Sequence, residues 1–554
     1  MRREAESRRL NLLLGIALVA LVTRLTYLSQ IGRAPFFGLR IGDADAYHRW
    51  ALQIAGGNWR GEGVFYQAPL YPYLLALVYR VLGSGPGMVR LVQLIVGAGS
   101  CVLLAAAGME LFGELGAIAG VLLALYPPAI FLDGLLEKSA LVTFLTAALL
   151  LALAVRRSTG RDLLAGITLG LLTLTRENAL ALAVPILLWL IYGERARSAE
   201  AVTLQRRSSW RSATTFLAGC AIVLLPVAAR NAAVGGDFTL TTSQFGPNFY
   251  IGNHAGARGT YDPLVTGHGS AADERDDATR VAEAASGHPL TAGQVSAYWR
   301  GRALEFIRAH PLEWIGQLLR KLGLMYNALE ISDTESPDVY AQYSWLLRAL
   351  SPFSFGVVLC LAAFGVCMTA PDWRRIWFLH AILLTYTASV VVFYVFGRYR
   401  FPLVPVLLLF AAGGVAMWRD ARARRVRWLA LAAIVPAAFV AWLPLQNAAV
   451  ERVIGYVTVA NAFSQDQSTW PEAAAFYDEA LTELPRSPAA HYGVGRLLAQ
   501  MHQPKAAIDH YRIALEGWPD NDAIREDLAL AQAALDEQHR ARPSADATPP
   551  TTRR

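Results

Sequence analysis

Long apolar stretches recur along most of the chain and are separated by polar or basic segments. Leu10–Thr23, Phe216–Ala229 and Pro402–Trp418 form the cores of three such stretches. With their milder flanks they reach about 18–20 residues, long enough for a helix to cross the hydrocarbon layer of a membrane. Lipid offers a backbone no hydrogen-bond partners, so repeated spans predict a bundle of helices. We therefore predict an all-α, polytopic membrane protein with about eleven spans, near residues 10–31, 88–108, 116–132, 138–155, 162–175, 178–192, 213–230, 352–369, 376–396, 401–418 and 428–446.

Clusters of arginine set the predicted orientation of these spans. With eleven spans, every arginine-rich turn falls on the same side as the N-terminus, and basic residues favour the cytoplasmic side. The protein is thus predicted to be a multi-pass protein of the inner (plasma) membrane with a cytoplasmic N-terminus. A membrane domain of residues 1–450 then has two long loops outside the cytoplasm, at about 32–87 and 231–351. The arginines are Arg2, Arg3, Arg8, Arg9, Arg156, Arg157, Arg161, Arg195, Arg197, Arg206, Arg207, Arg211, Arg374, Arg375, Arg419, Arg422, Arg424, Arg425 and Arg427.

Two segments leave this topology open. Pro311–Leu329 is amphipathic, with Trp314, Leu318 and Leu322 on one side, and it either lies in the membrane interface or forms a twelfth span. A twelfth span would move the C-terminal part of the chain to the cytoplasmic side. The N-terminus also resembles a secretory signal, but no small-x-small cleavage site follows, which favours a retained first anchor.

The C-terminal region contains an internal repeat. Ala473, Tyr477, Ala480 and Pro485 recur 34 residues later as Ala507, Tyr511, Ala514 and Pro519. This period and pattern resemble the tetratricopeptide repeat, a pair of packed helices. We predict a helical repeat domain at 454–540 that lies outside the cytoplasm and binds a partner protein. The Pro/Ser/Thr/Arg-rich tail at 541–554 is predicted to be disordered.

Composition and charge add little to this topology. Charged residues make up 17% of the chain, against about 25% in soluble proteins. The net charge of +7 reflects the basic loops and indicates no nucleic-acid partner. The cysteines are predicted to be buried small hydrophobic residues, because their spacing fits neither a zinc site nor a disulfide framework. They are Cys101, Cys220, Cys360 and Cys367, and all lie in apolar stretches.

The first long loop places two acids at the start of a helix-like stretch, in the segment Asp43-Ala44-Asp45-Ala46-Tyr47-His48-Arg49. An aspartate there can simply cap the helix, because the helix N-terminus stabilises a carboxylate. Three features favour a functional role instead. The loop is unusually apolar and aromatic, the acids stand beside His48 and Arg49, and the loop lies directly against the membrane.

Several segments in order resemble one enzyme family. An acid four residues before a tyrosine follows the first span, and Pro69-Leu70-Tyr71-Pro72 comes later in the same loop. The stretches Asp133–Lys138, Leu174–Asn178 and Phe396–Pro405 then place acids or arginines at later outer turns. Over roughly residues 10–420, this order resembles the GT-C glycosyltransferases (glycosyltransferase family 39). The most similar members are the protein O-mannosyltransferases and the bacterial aminoarabinose transferase of lipid A.

The resemblance implies an enzyme that transfers a sugar from polyprenyl phosphate to an extracytoplasmic protein, lipid or glycan. The donor's lipid tail would lie in the membrane between spans. Asp43 is then the first candidate for the catalytic base and Asp45 the second, with Glu137 as a further acidic site. Arginine forks onto phosphate oxygens, although an arginine at a span end also commonly anchors a helix to lipid headgroups. The candidates for the donor phosphate are Arg176, Arg398, Arg400 and Arg24, with Lys138 and Lys321 as weaker choices.

The remaining candidates concern substrate contacts and a metal. Tyr66 and Tyr71 are suited to stacking on a sugar or to anchoring the loop in the membrane interface, and His48 is a substrate-binding candidate or a packed loop histidine. A divalent ion such as Mg²⁺ or Mn²⁺ is an alternative to the arginines, because carboxylates are its preferred ligands. Its ligands would be Asp43, Asp45 and Glu137. In the second loop, Asn248–His254 suits carbohydrate contact or ordinary loop structure, and Asp273–Asp277 is predicted to be a solvated surface.

Two other functions compete with an enzyme. A transporter or lipid flippase would place ionisable groups near the middle of its spans, whereas the polar groups here cluster at the predicted outer span ends. A non-enzymatic scaffold that presents the repeats would leave the acids of the first loop and the outer arginines without a role. Glycosyl transfer is therefore the preferred prediction.

Overall fold

The computed structural model describes residues 2–155, 158–193, 199–265 and 271–541. Across these residues the chain forms helices and no strand, which confirms the predicted all-α fold. Arg156, Arg157, Arg195 and Arg197 of the basic turns lie outside the described residues, as does the predicted disordered tail beyond residue 541.

The chain divides into two compact units. The first comprises the residues up to Asp333 and Pro337–Gln446, and the second comprises Thr334–Ser336 and the chain from Asn447 on. The helices of the first unit are α1 (Arg2–Ile31), α2 (Asp43–Ala55), α3 (Leu70–Leu82), α4 (Pro86–Phe112), α5 (Ile118–Leu125), α6 (Pro127–Asp133), α7 (Ser139–Ala154), α8 (Thr159–Thr173), α9 (Ala183–Tyr192), α10 (Ala199–Gly235), α11 (Phe245–Gly252), α12 (Ala271–Ser286), α13 (Ala292–Ala309), α14 (Pro311–Met325), α15 (Pro337–Tyr343), α16 (Trp345–Leu350), α17 (Phe355–Met368), α18 (Trp373–Val391), α19 (Gly397–Arg400), α20 (Val404–Met417) and α21 (Arg427–Ala441). Those of the second are α22 (Ala448–Phe463), α23 (Trp470–Glu483), α24 (Pro488–Gln500), α25 (Pro504–Gly517) and α26 (Asp522–Ala541).

Several helices of the first unit are long and apolar enough to cross a membrane. Among the described residues there are five, or six if the pair Glu114–Leu125 and Pro127–Asp133, bent by 59°, counts as one span. The predicted spans all fall on helices, but some of these helices are too short to cross the membrane on their own. Helix α8, for example, has 15 residues, and at about 1.5 Å per residue it is shorter than the hydrocarbon core. The number eleven therefore stays a prediction. The five are Arg3–Ile31, Pro86–Phe112, Ser209–Gly235, Trp345–Met368 and Gly397–Met417.

Helices α8 and α10 approach each other through glycine. A Cβ placed on Gly166 would lie 2.0 Å from the carbonyl oxygen of Phe216, and one on Gly219 would lie 2.4 Å from that of Leu163. Small residues at such crossings let two backbones touch, which is how helices in membranes gain packing energy without a hydrophobic driving force.

We expect Gly166→Ala to lower the thermal unfolding midpoint of the detergent-solubilised protein. The added methyl group must push α10 away, and overpacking of this kind costs about 1–3 kcal/mol. Gly160→Ala, on the same helix, is the matched control, because nothing lies within 4 Å of its added Cβ. Equal midpoints for the two variants would contradict the close α8–α10 crossing.

The two long loops that are predicted to lie outside the cytoplasm contribute their own helices to the first unit. Helices α2 and α3 lie in the first loop and α11–α16 in the second. Helix α14 buries Lys321 and Leu324 while Leu312 and Leu319 are 82% and 65% exposed. With 15 residues, it is not among the helices long and apolar enough to span.

The second unit consists of stacked helices. The repeated residues occupy equivalent buried positions, because Ala473, Tyr477 and Ala480 in α23 and their counterparts in α25 are all at most 1% exposed. A Cβ on Gly495 of α24 would lie 2.5 Å from the ring of Tyr511. Helix α24 therefore packs directly on the tyrosine of α25. Assignment to the tetratricopeptide family and the predicted partner protein stay predictions.

Candidate active site

Arg398 gathers three carboxylates from distant parts of the chain. Its guanidinium lies 2.8 Å from Asp43 Oδ2 and 3.0 Å from Glu137 Oε2, and it also pairs with Asp333. The arginine side chain is only 11% exposed. One buried cation thus pairs with three acids that come from the first loop, the turn before α7 and the segment after α14.

Local backbone geometry positions these groups. Gly42, with φ of +57°, ends the preceding turn and starts α2, so that Asp43 stands in the first turn of the helix. Few residues other than glycine adopt such a φ without cost. Gly397 donates its N–H to the Ile331 carbonyl oxygen at 2.9 Å. A Cβ on Gly397 would lie 3.3 Å from the same carbonyl oxygen, so glycine lets the two backbone segments come together. This contact places Asp333 beside Arg398.

The first-loop acid is held as a charged carboxylate. Burial disfavours the charged form of Asp43, but Arg398 and Lys138 outweigh burial, so the pKa of Asp43 lies below its usual value. Gln67 Nε2 donates to its second oxygen at 3.2 Å. Burial instead raises the pKa of Asp333 to about 6, in spite of Arg398, and the neighbouring Asp43 adds to the shift. Asp43 is the more firmly ionised of the two.

Two more cations lie beside this cluster and lack carboxylate partners. Arg176 is 6% exposed, faces the ring of Tyr399 at 4.5 Å and donates to the backbone oxygen of Arg398 at 3.4 Å. Lys138 is 9% exposed and lies within reach of the charges of Glu177, Arg176, Arg398 and Asp43. Neither cation forms an ion pair among the described residues. Positive charge is therefore available to an anionic ligand.

Glu177 does not neutralise its neighbour Arg176. Its Oε1 accepts hydrogen bonds from Gln244 at 2.7 Å and from Thr242 at 3.1 Å. Glu177 and Arg176 are neighbours in the chain, but their side chains form no ion pair with each other. The guanidinium instead stays turned towards Tyr399.

Several buried polar atoms of the cluster have no hydrogen-bond partner. They are Tyr47 Oη, Glu137 Oε1, Arg176 Nε and Arg398 Nε. Buried polar groups are nearly always bonded in folded proteins, so a concentration of unpaired ones at one place indicates a site for water or a ligand.

Other candidates named from the sequence lie apart from this cluster. Asp45 pairs with Arg49 at 2.9 Å on the exposed side of α2. Arg24 pairs with buried Asp133 at 2.8 Å. Arg400 binds Glu330 at 2.9 Å and backbone oxygens nearby.

The substrate-contact candidates also have intramolecular partners. His48 Nδ1 lies 2.9 Å from Tyr79 Oη, and Tyr71 donates to Gln93 at 2.8 Å from a fully buried position. Tyr66 donates to Glu274 Oε1 at 2.7 Å, an acid in α12 that sequence reasoning treated as solvated surface. The sequence analysis also did not identify Asp333 as a candidate site residue.

The proposed metal ligands are not assembled. Within the described ranges, no three His, Cys, Asp or Glu side chains are arranged to hold a metal ion. Asp45 points to Arg49, and the guanidinium of Arg398 lies between Asp43 and Glu137. The carboxylates of Asp43 and Glu137 thus already have a cation in this structure.

Both Glu137 and Arg176 lie in a part of the chain that is similar to known proteins. Residues 66–229 match the family of dolichyl-phosphate-mannose-protein mannosyltransferases. The match confirms the predicted family resemblance in this part of the chain. No curated protein matches the chain.

Two solved structures are distantly similar in fold. The apo oligosaccharyltransferase of Archaeoglobus fulgidus has a TM-score of 0.42 and 15% identity, covering 85% of this chain. ArnT of Cupriavidus metallidurans, bound to undecaprenyl phosphate, has a TM-score of 0.40 and 15% identity, covering 96% of this chain and 78% of its own. The present chain spans 59% of the length of the oligosaccharyltransferase.

Proposed function

We propose that this protein is an inner-membrane glycosyltransferase that moves a sugar from polyprenyl phosphate to an extracytoplasmic acceptor. The observation that carries the proposal is the Arg398 cluster, in which ionised Asp43 stands beside two buried cations without carboxylate partners. The family match of residues 66–229, which include both cations, supports the same reaction.

The cations account for the leaving group. When the bond between the sugar and the phosphate breaks, negative charge grows on the phosphate oxygens. Fixed positive groups aimed at such oxygens stabilise the transition state. Arg176 offers a planar guanidinium that can fork onto two oxygens, and Lys138 offers a compact ammonium beside it.

Asp43 accounts for the acceptor. Because it is held ionised by Arg398, it can accept a hydrogen bond from an incoming hydroxyl or amine and orient it towards the sugar. Glu137 shares Arg398 with it and fixes the guanidinium in place. Arg24 and Arg400, which are occupied by other buried partners, hold the fold around the site.

The predicted topology places this chemistry outside the cytoplasm. Asp43 and Asp333 lie in the two long loops and Glu137 lies in a short turn, and all three segments are predicted to lie opposite the basic turns. A donor whose lipid tail lies between spans would present its sugar at that face. The repeat unit would bind the acceptor or a partner protein there.

Arg176→Met is expected to lower the rate of sugar transfer by about 10²–10³-fold, the loss seen when one charge-stabilising group is removed. The assay is transfer of radiolabelled mannose from polyprenyl phosphate in membranes, with other polyprenyl-phosphate sugars in parallel. Arg300→Met is the control, because Arg300 is exposed and lies on α13. Equal rates for both variants at equal expression would remove Arg176 from the site.

A binding measurement tests the phosphate site without knowledge of the sugar. Undecaprenyl phosphate should raise the thermal midpoint of the wild-type protein more than undecaprenol does. Arg176→Met and Lys138→Met should lose this difference and Arg300→Met should keep it. A wild-type protein that responds equally to both lipids would count against the proposed donor.

A further inference from the structure

Asn231 is a buried asparagine near the C-terminal end of α10, and it joins two distant segments of the chain. Its side chain is 0% exposed. The oxygen Oδ1 accepts a hydrogen bond from the backbone N–H of Phe65 at 3.3 Å. The nitrogen Nδ2 donates to the carbonyl oxygens of Thr239 and Thr241, both at 2.9 Å. One amide thus ties the first long loop to the start of the second.

The bond to the first long loop leads to Asp43. Phe65 is held at both of its backbone groups, because Ser243 donates its N–H to the Phe65 carbonyl oxygen at 3.0 Å. Two residues further along the loop, Gln67 donates to Asp43 Oδ1 at 3.2 Å. Asn231 therefore fixes the backbone from which the amide of Gln67 reaches Asp43.

The bonds to the second long loop lead to Glu177 and the cations. Thr242 and Gln244 follow directly after the two bound carbonyl groups, and they donate to Glu177 Oε1 at 3.1 Å and 2.7 Å. Glu177 stands next to Arg176 in the chain, and its charge reaches Lys138. The segment that holds this acid beside the two cations is thus the segment that the amide binds.

Asn231 uses the full hydrogen-bonding capacity of an amide. The neighbouring Arg230 donates to the same Oδ1 at 3.0 Å, so the oxygen accepts two bonds while the nitrogen donates two. An asparagine side chain offers two acceptor positions and two donors, and a carboxylate of equal size offers no donor. Arg230 also lies 3.8 Å from the ring centre of Phe65, which packs this junction closely.

We propose that Asn231 is a positioning residue that keeps the two halves of the site in register, and this role rests on the proposed transferase function. One half surrounds Asp43 and the other comprises Glu177 and the cations beside it. Because its side chain is buried, Asn231 acts through its four hydrogen bonds and not by contact with a substrate. Small displacements of groups that position reactants cost up to about 10²-fold in rate.

Asn231→Asp breaks one half of the junction and keeps the other. The carboxylate still accepts from Phe65 and gains an ion pair with Arg230. It has no N–H for the carbonyl oxygens of Thr239 and Thr241, and its second oxygen repels them. The affinity for undecaprenyl phosphate should therefore fall about tenfold, the effect of leaving a buried hydrogen-bonding group unpaired. The affinity for undecaprenol, which has no phosphate, should stay unchanged. Both affinities follow from the thermal midpoint as a function of lipid concentration.

Thr242→Val tests the same half one step nearer to the cations. Valine keeps the shape of the side chain but removes the hydroxyl that donates to Glu177. The affinity for undecaprenyl phosphate should fall by about threefold or more, the effect of one lost hydrogen bond. Thr291→Ala is the control, because it removes the hydroxyl that caps α13 in the same long loop. It should lower the midpoint and leave the ratio of the two lipid affinities unchanged.

Asn231→Leu should break both halves of the junction, because leucine neither accepts from Phe65 nor donates to the second loop. At saturating donor, its rate of sugar transfer should be about tenfold below that of Asn231→Asp, since the amide of Gln67 no longer reaches Asp43 from a fixed backbone. Equal rates for these two variants would overturn the part of the role that runs through the first loop.

The ratio of the two lipid affinities separates positioning from plain stabilisation. A residue that only stabilises the fold lowers the midpoint and leaves the ratio unchanged. An unchanged ratio in both Asn231→Asp and Thr242→Val would therefore overturn the positioning role, and Thr242→Val alone decides if Asn231→Asp does not fold. A wild-type protein that binds both lipids equally would instead overturn the proposed donor site.

Discussion

Asp43→Asn should lower the rate of sugar transfer by about 10²–10⁴-fold, the range for loss of a group that assists proton transfer. The amide keeps the size of the side chain but loses the charge that attracts the acceptor hydroxyl. Because Asp43 is bound to Arg398 and Gln67, the amide also loses the ion pair with Arg398. The measurement is the initial rate of radiolabelled sugar transfer in membranes, normalised to the amount of protein.

Asp45→Asn is the matched control for this experiment. It lies two residues away on the same helix, but it is 43% exposed and pairs with Arg49. Its rate should stay within a factor of about three of the wild type, because an exposed ion pair contributes little. If Asp45→Asn lost activity and Asp43→Asn kept it, the two acids would have the opposite roles.

Arg398→Met should give the largest loss of stability. Removing one partner of a buried ion pair typically costs about 3–5 kcal/mol, because the charge left behind stays buried without compensation. Here three carboxylates, those of Asp43, Glu137 and Asp333, lose their shared cation. The thermal midpoint in detergent should fall accordingly, and sugar transfer should be lost.

The pH dependence of the Arg398→Met defect distinguishes electrostatics from lost packing. The pKa of Asp333 is already raised to about 6 with Arg398 present, and it should rise further without it. A carboxyl whose folded pKa exceeds its unfolded value of about 4 stabilises the fold at low pH and loses this effect as the pH rises. The midpoint deficit should therefore be larger at pH 8 than at pH 5. A deficit independent of pH, or equal to that of exposed Arg49→Met, would contradict the cluster.

Part of this site could be predicted from the sequence. Glu137, Arg176 and Arg398 stand at the ends of predicted spans, and Asp43 stands in the loop after the first span, all on the side predicted to lie opposite the basic turns. A charged residue in such a position is energetically costly, which favours a functional role. The predicted topology places all four residues at the same face of the bundle. The sequence pattern could not predict that these side chains contact one another. The pattern indicates how deep in the membrane a residue lies, but it does not indicate in which direction around the bundle axis the side chain points.

That missing direction explains Arg24 and Arg400. Both have the predicted depth, yet each faces an acid of its own, buried Asp133 for Arg24 and half-buried Glu330 for Arg400. A charged residue at the end of a span is equally compatible with a ligand-binding site and with an intramolecular ion pair that only stabilises the fold. Only the three-dimensional packing of neighbouring helices decides between them.

Glu274 was missed for a different reason. Its neighbours in Asp273–Asp277 are acidic, and a run of acids usually marks a solvated surface. The signal was present in the spacing, because Glu274, Ala278 and Val281 recur at helical intervals, and Ala278 is 1% exposed. The sequence around Asp333 offered no comparable signal, because this residue follows an irregular segment after α14 and no periodic pattern surrounds it.

The residues of the Arg398 cluster are synthesised at very different times. Asp43 and Arg398 are 355 residues apart, which corresponds to roughly 20–70 seconds of translation at about 5–20 residues per second. Throughout that interval Asp43 and Glu137 lack the guanidinium that both of them bind in the folded protein. Arg398 is therefore synthesised after all three of its carboxylate partners, and a nascent chain that ends before α19 lacks the one group that brings these carboxylates together.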